Sequence, residues 1–191
     1  MELVPDPSTD IEHSSAPGDL EVVRRFVNTH DHETGAEDLA SPADLSTWLA
    51  RHELIPDEAT LDDADVGRAH ELREALREAL LTNNDEPLPP TTVERLNRAL
   101  AGVSLGVQVN DDCTIDLQPA GAGLDPALAR IASIIREAML SGEWSRLKVC
   151  PADDCLWAFY DRSRNRSRTW CSMEECGNRA KVKSFRERHS H

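Results

Sequence analysis

Apolar residues recur at every third or fourth position in five stretches of the first 145 residues, which is the spacing of one face of an α-helix. The predicted helices cover residues 20–27, 42–52, 64–81, 91–100 and 125–141. Ser41 followed by Pro42 is typical of a helix start, and Gly142 is typical of a helix end. The segment from Thr91 to Glu94 has the pattern of a capping box. This part of the chain is therefore predicted to be mainly helical.

One stretch has a hydrophobic period of two instead. Apolar residues alternate on both sides of the turn residues 110–112, at Leu105, Val107, Val109, Ile115 and Leu117. Alternation around a polar turn predicts a small β-hairpin within the helical part.

The charge of the chain changes sign near residue 145. Residues 1–145 carry 10 basic and 29 acidic side chains, a net charge of −19, whereas residues 146–191 carry 11 and 6, a net charge of +5. Together these give the −14 of the whole chain. The reversal predicts a domain boundary, with one domain at 19–145 and another at 146–191.

Residues 1–18 are rich in Pro, Ser and acidic side chains and are predicted to be a disordered tail. They lack the basic and apolar stretches of a signal peptide, and no run of eighteen apolar residues occurs in the chain. The expectation is a cytoplasmic protein without membrane contact, in which cysteines are reduced.

Four of the five cysteines form two pairs, each with four residues between its members: Cys150 with Cys155, and Cys171 with Cys176. Two short-spaced pairs can supply four thiolates to one tetrahedral zinc ion. Disulfides are the weaker alternative in a reducing compartment. Since four protein ligands leave no position for water, we predict one structural Zn²⁺ and not a catalytic one.

The C-terminal part is predicted to fold around this metal. The segment between the pairs, with Trp157, Phe159 and Tyr160, favours a β-hairpin, and the residues after Cys176 favour a helix. A knuckle, a hairpin and a helix make a treble-clef-like zinc finger. About 45 residues bury too little apolar surface to fold alone, so zinc would supply folding free energy. The predicted class is α+β, with a mainly helical N-terminal domain, its small hairpin, and this finger.

The same residues resemble a known family. The segment from about residue 149 to residue 188 is similar to the CGNR zinc finger, whose Cys-Gly-Asn-Arg motif is matched at residues 176–179. The upstream part resembles the ABATE domain ("putative stress-induced transcription regulator") through FVNT at 26–29, DLSTWLARH at 44–52, LREALREAL at 72–80 and LNRAL at 96–100. The resemblance covers roughly residues 18–190. It implies that the four paired cysteines bind zinc and that the finger binds DNA.

Arginine occupies every second position from Arg162 to Arg168, inside the predicted finger. In a strand these side chains would share one face, and in a loop they would still form a cationic patch. Arginine pairs with phosphate in a bidentate manner, and polar neighbours can add hydrogen bonds. Candidate contacts to double-stranded DNA are Arg162, Arg164, Asn165, Arg166, Arg168, Asn178, Arg179, Lys181, Lys183 and Arg186. Some of these cations, Arg179 first, could instead offset the thiolate charge.

Two features of the helical part offer weaker signals. Asn28 and Thr29 could cap the first helix or line a ligand pocket. His30, Asp31, His32 and Glu33 could bind metal, but adjacent residues on a helix cannot all face one site, so a polar helix end is the favoured interpretation.

These observations favour a transcription regulator that binds DNA through the finger, with the N-terminal domain sensing an unknown small-molecule effector or forming a homodimer. The alternatives are an adaptor that binds RNA or protein, and a thiol-based redox or zinc sensor. The basic finger could also dock on the acidic domain. An enzyme is not expected, because the metal site is closed and no phosphate-binding loop or nucleophile motif occurs.

Overall fold

A computed structural model describes residues 15–55 and 59–189 of the chain. In these ranges the regular elements are α1 Leu20–Val27, α2 Pro42–Arg51, α3 Asp63–Leu81, α4 Pro90–Ala99, β1 Ser104–Val109, β2 Ile115–Ala120, α5 Asp125–Ser141, β3 Leu147–Val149, β4 Ala158–Tyr160 and α6 Asn178–His189. Two antiparallel hairpins, β1–β2 and β3–β4, accompany the helices. The predicted α+β class with its mainly helical N-terminal part is confirmed.

Two predicted helix starts can be compared with the structure, and one of them is wrong. Ser41 caps α2 by accepting a hydrogen bond from the amide of Asp44. The capping box predicted at Thr91 is wrong, because α4 begins at Pro90, whose missing N–H needs no partner at a helix start. Thr92 is buried in α4 and donates to Glu78 of α3 instead.

The main core combines the helices with the second hairpin. Leu20, Val23 and Phe26 of α1 are buried with residues of α3 and α5. The same apolar cluster contains four residues of the β3–β4 hairpin: Leu147, Val149, Ala158 and Tyr160. Although the charge changes sign near residue 145, the packing is continuous across that point.

Side chains of the helical part also bind the backbone of the second hairpin. Asn28 accepts a hydrogen bond from the Ala158 amide at 2.7 Å and donates to its carbonyl at 2.9 Å. Asn83 donates to Leu147 O at 2.7 Å, and Asn84 donates to Val149 O at 2.8 Å. These bonds hold the hairpin by its main chain, so its position does not depend on apolar packing alone.

The first hairpin is amphipathic, and its apolar face is exposed to solvent. In the register of β1 with β2, Val107 lies opposite Leu117 and Val109 lies opposite Ile115. The four side chains are 44–70% exposed. The turn predicted at residues 110–112 is confirmed, since β1 ends at Val109 and β2 begins at Ile115.

The predicted tail lies mostly outside the described part of the chain, which starts at residue 15. Ala16 is buried, and its amide donates to Glu21 at 2.8 Å, so packed structure begins before residue 19. Among the residues that the structure describes, no helix is both long and apolar enough to cross a membrane.

Candidate zinc centre and its basic surround

The first cysteine pair lies on the connection between β3 and β4. Cys150 directly follows β3, and its amide donates to Trp157 O at 2.9 Å. Cys155 closes a tight turn by donating its amide to Ala152 O at 2.9 Å. The hairpin is therefore formed around the first pair. The prediction of a hairpin wholly between the pairs is wrong, because β3 lies upstream of Cys150 and only β4 lies in that segment.

The second pair stands at the entrance of α6, as predicted. A wide turn over Met173–Gly177 follows Cys171, contains Cys176 and leads into the helix. Ser172 caps this turn by accepting from the Glu175 amide at 3.3 Å. A Cβ atom at Gly177 would lie 2.5 Å from Met173 Sδ, so a larger residue next to Cys176 would displace the flexible Met173 side chain.

The four Sγ atoms converge to within 4.8 Å of one another. Cys155 and Cys171 are 3.4 Å apart and Cys171 and Cys176 are 3.6 Å apart, far beyond the ~2.05 Å of a disulfide. A tetrahedral zinc ion with Zn–S bonds of about 2.3 Å requires sulfur atoms about 3.8 Å apart. The arrangement fits that requirement, and the four cysteines form a single zinc site.

The cluster is closed and electrostatically coupled. Cys150, Cys155 and Cys176 are buried, and Cys171 is partly exposed. Without metal, hydrogen bonds from Cys155 and Cys171 lower the pKa of Cys150, whereas Cys150 raises the pKa of Cys155. Since zinc binds thiolates, its binding must release the protons that the thiols carry.

Arg179 offsets part of the thiolate charge, which confirms the role suggested for it as a charge partner of the ligands. Its guanidinium donates to Cys176 Sγ at 3.1 Å. It also pairs with Glu33 at 2.9 Å and with Asp154 at 3.2 Å. Glu33 belongs to the segment after α1, so this arginine joins the zinc centre to the helical part. The carboxylate partners are contacts that the sequence did not indicate.

The arginine row lies in a loop and not in a strand. The loop is organised by Asp161, whose carboxylate is fully buried and accepts from Lys148 Nζ at 2.9 Å and from the Arg168 amide at 2.9 Å. Lys148 Nζ also donates to the carbonyls of Arg166 and Arg168. Burial would raise the pKa of Asp161, but hydrogen bonds from Ser163 and Lys148 outweigh burial and lower it.

The four arginines of this loop face different surroundings. The Arg162 guanidinium lies 5.8 Å from the centre of the Tyr160 ring and donates to Ser15 O. Arg166 donates to the Ser145 hydroxyl at 2.9 Å. Arg168 stacks 5.1 Å above Phe159 and binds the carbonyls of Trp170 and Cys171. The single face expected for a strand is therefore absent from the loop.

Arg164 and Asn165 differ from their neighbours. Both are exposed, and their side chains make no hydrogen bond or ion pair with any other residue that the structure describes. They lie at the outer part of the loop, where a polyanion could reach them without breaking an internal contact.

An open groove of about 1090 Å³ separates the first knuckle from α6. Four predicted nucleic-acid contacts, Asn178, Arg179, Lys183 and Arg186, line it, together with acidic residues such as Asp153 and Glu174. Lys183 pairs with Asp153 at 3.5 Å, and Asn178 donates to Glu174 O. Lys181 is exposed on the same helix. The groove therefore carries mixed charge, and the uncompensated cations lie outside it.

Asn28 and Thr29, which were predicted to cap the first helix or to line a ligand pocket, both bind other parts of the chain. Asn28 is occupied by Ala158 of β4. Thr29 is buried, donates to Phe26 O and accepts from Arg73 at 3.2 Å. Both side chains join structural elements, and neither lines either of the two described cavities.

Comparison with protein families places these features in context. A CGNR zinc finger model matches residues 146–189, which contain the four cysteines and the arginine loop. The ABATE model ("putative stress-induced transcription regulator") matches residues 20–141, well over half of the chain. The chain belongs to the ABATE family and carries a CGNR zinc finger. A comparison with curated proteins finds no match.

Proposed function

We propose that this protein is a cytoplasmic transcription regulator whose zinc finger binds double-stranded DNA. The observation that carries the proposal is the exposed pair Arg164 and Asn165, which lies in the loop between the two cysteine pairs and binds no other described residue. An arginine and an amide can bind phosphate or the edge of a base without first breaking a protein contact. Membership of the ABATE family supports the regulatory role, and neither family description names an enzyme.

The anchoring of the finger supports contact through this loop. The buried ion pair of Lys148 and Asp161 holds the loop backbone, and Arg168 is fixed on Phe159. A loop held in one conformation loses little entropy when it binds. Exposed Lys181 on α6 would add a phosphate contact.

The helical domain is assigned the sensor or dimerisation role. Because Ala158 of the finger is hydrogen-bonded to Asn28, which directly follows α1, a change in the helices would reach the finger directly. The apolar face of the β1–β2 hairpin, with Val107 and Ile115 exposed, supports association with a second copy. A stress signal would then act on the helical part and alter DNA binding by the finger.

Selection from random duplexes with the zinc-loaded full-length protein tests the proposal, followed by affinity measurements. We expect an enriched motif and a binding constant that falls steeply with salt. Arg164→Ala should weaken binding by about 1–3 kcal/mol if Arg164 reads a base. The control is Arg51→Ala, which removes an exposed arginine at the end of α2. No enriched motif, or equal affinities for the two variants, would refute the proposal.

A protein-binding adaptor is the second candidate, because large apolar side chains on α6 and on the turn before it are exposed. Met173, Val182 and Phe185 are each about half exposed. In that case Val182→Asp would abolish partner binding and leave affinity for DNA unaffected, whereas Arg164→Ala would leave partner binding unaffected.

A further inference from the structure

A second group of metal-binding side chains contains no cysteine. His30 and His32 follow α1, and Glu74 lies in the middle of α3. One ligand atom from each of the three lies within 4.8 Å of the other two. The sequence favoured a polar helix end for both histidines, but the structure brings them together with Glu74.

The backbone explains why the two histidines converge. The helix ends before His30, which forms an isolated antiparallel bridge with Glu37. The segment between them is a tight turn, in which Asp31 N donates to Ala36 O and Gly35 N donates to Asp31 O. Residues two apart in such a segment can share a side, unlike residues two apart in a helix. The two imidazole rings lie 4.4 Å apart.

The distances to the carboxylate are those of a metal site. His32 Nε2 lies 3.4 Å from Glu74 Oε2, and His30 Nδ1 lies 3.8 Å from Glu74 Oε1. Ligands bound tetrahedrally at 2.0–2.1 Å stand about 3.4 Å apart. The distance from His32 to the carboxylate equals that spacing, and the distance from His30 to the carboxylate exceeds it by about 0.4 Å.

The ring of His32 has a buried nitrogen atom without a partner among the described residues. Its Nε2 atom is buried and has no hydrogen-bond partner among the described residues, since the contact with Glu74 does not have hydrogen-bond geometry. Burial and the charge of Arg77 lower the pKa of His32. A buried, unpaired imidazole nitrogen aimed at a carboxylate is a costly arrangement that a metal ion would satisfy.

Glu74 is held in place by two arginines and keeps acceptor positions for a cation. Its two oxygens accept from Arg73 Nε at 2.8 Å and from Arg77 Nε at 3.0 Å. A carboxylate has about four acceptor positions, so two remain for a cation. The arginines fix the ligand, as outer partners of metal ligands do, while their charge makes the site weaker than the four-thiolate centre.

From this geometry we infer that His30, His32 and Glu74 form a second site, which binds a divalent transition metal of the zinc type. Two imidazole nitrogens and one carboxylate oxygen suit Zn²⁺ and Co²⁺ better than Mg²⁺ or Ca²⁺. Three protein ligands leave one position for water or a small ligand. Arg77 also donates to Leu156 O, next to the ligand Cys155, so this site contacts the first zinc knuckle through one side chain.

Cobalt titration of the full-length, folded protein tests the inference. The four-thiolate site is first filled with Zn²⁺, and Co²⁺ is then added. We expect one further equivalent to bind without sulfur-to-cobalt charge-transfer absorption, and the protons of two histidine rings to show paramagnetic shifts. The inference is overturned if no further equivalent of Co²⁺ binds. It is also overturned if the paramagnetic shifts fall on residues other than His30 and His32.

Variants locate the site. His32→Ala and His30→Ala should each weaken binding of the second equivalent at least about tenfold, while zinc at the cysteines stays bound. The matched control is His70→Ala, since His70 is also partly exposed and also lies near a carboxylate, Glu37 at 3.7 Å. The control should bind the second equivalent as the wild type does. Equal weakening in all three variants, or in none, would contradict the assignment.

Discussion

The buried ion pair of Lys148 and Asp161 is the residue-scale feature on which the arginine loop depends. Both side chains are at most 5% exposed. The Lys148 ammonium donates three hydrogen bonds, one to Asp161 and two to loop carbonyls. The sequence shows Lys148 and Asp161 only as isolated charges thirteen positions apart. Their pairing follows from the register of β3 with β4, which cannot be read from residue spacing.

Asp161→Asn should destabilise the protein by about 3 kcal/mol, because it leaves the Lys148 ammonium buried without its counter-charge. Urea unfolding followed by circular dichroism measures the change. The control is Asp153→Asn, whose carboxylate is 92% exposed and should be worth less than about 0.5 kcal/mol. A loss for Asp161→Asn no larger than the control would show that the pair contributes nothing to stability.

The same pair predicts a direction for acid unfolding. The pKa of Asp161 is lowered in the folded protein. Its contribution is therefore complete above the unfolded pKa of about 3.9 and is lost as pH falls through the lower folded value. The stability difference between wild type and Asp161→Asn should narrow below pH 4, which unfolding measured across pH 2–7 would detect. A stability difference between the two proteins that stays constant over that range would contradict the predicted contribution of Asp161.

Cys176→Ser should remove zinc from the four-thiolate site, because three thiolates and a hydroxyl bind zinc poorly and Arg179 loses its sulfur partner. Loss of the sulfur-to-cobalt absorption on cobalt loading is the measurement. Cys113→Ser is the control, since Cys113 is an exposed free thiol outside the cluster and should keep full metal content. Normal charge-transfer absorption in Cys176→Ser would contradict the ligand assignment.

At the scale of elements, one side chain joins the first helix to the last strand. Asn28 binds both backbone groups of Ala158, which is fully buried. This amide behaves as an extra strand residue placed against β4. The sequence indicated that Asn28 stands at a helix end, and it does follow α1, but its partner lies 130 residues away.

Asn28→Ala should cost about 1–3 kcal/mol, because the Ala158 amide is then buried without an acceptor. Chemical denaturation measures this loss. Asn165→Ala serves as the control, since the exposed Asn165 amide binds no other described residue and should leave stability within about 0.5 kcal/mol of wild type. Equal stabilities for the two variants would show that the hydrogen bonds between Asn28 and Ala158 do not stabilise the protein.

Element types were predicted better than element partners. The helical periodicity located α1 to α5, and alternation located the β1–β2 hairpin, because both signals are local. The β3–β4 hairpin was misplaced, since β3 is only three residues long and follows directly on a helical turn. Strands that short carry too few alternating positions to show a period.

At the scale of the whole molecule, the finger and the helices share one apolar cluster. Leu147 and Val149 of the finger are fully buried among residues of the helical part. The zinc ligands could be predicted because cysteine spacing is local, whereas the link from Arg179 to Glu33 joins positions 146 residues apart. The charge reversal marked a change of surface and gave no information about this shared interior.

Zinc removal should therefore destabilise the helices as well as the finger. We expect a single thermal transition in the full-length protein, with the midpoint lowered when metal is chelated, because unfolding the finger uncovers part of the common core. Helix content by far-ultraviolet circular dichroism and the cobalt–thiolate band should fall together. Two separate transitions, with the helical one insensitive to metal, would contradict this coupling.

The continuous packing across residue 145 limits how this finger can be transplanted. A chimera joined at the point where the charge changes would carry Leu147, Val149, Ala158 and Tyr160 to a host that lacks their helical neighbours. The grafted module would expose these four side chains, and the backbone groups of Ala158 would lack the Asn28 side chain that binds them in this protein. A working exchange would have to move α1, α3 and the finger as one cassette.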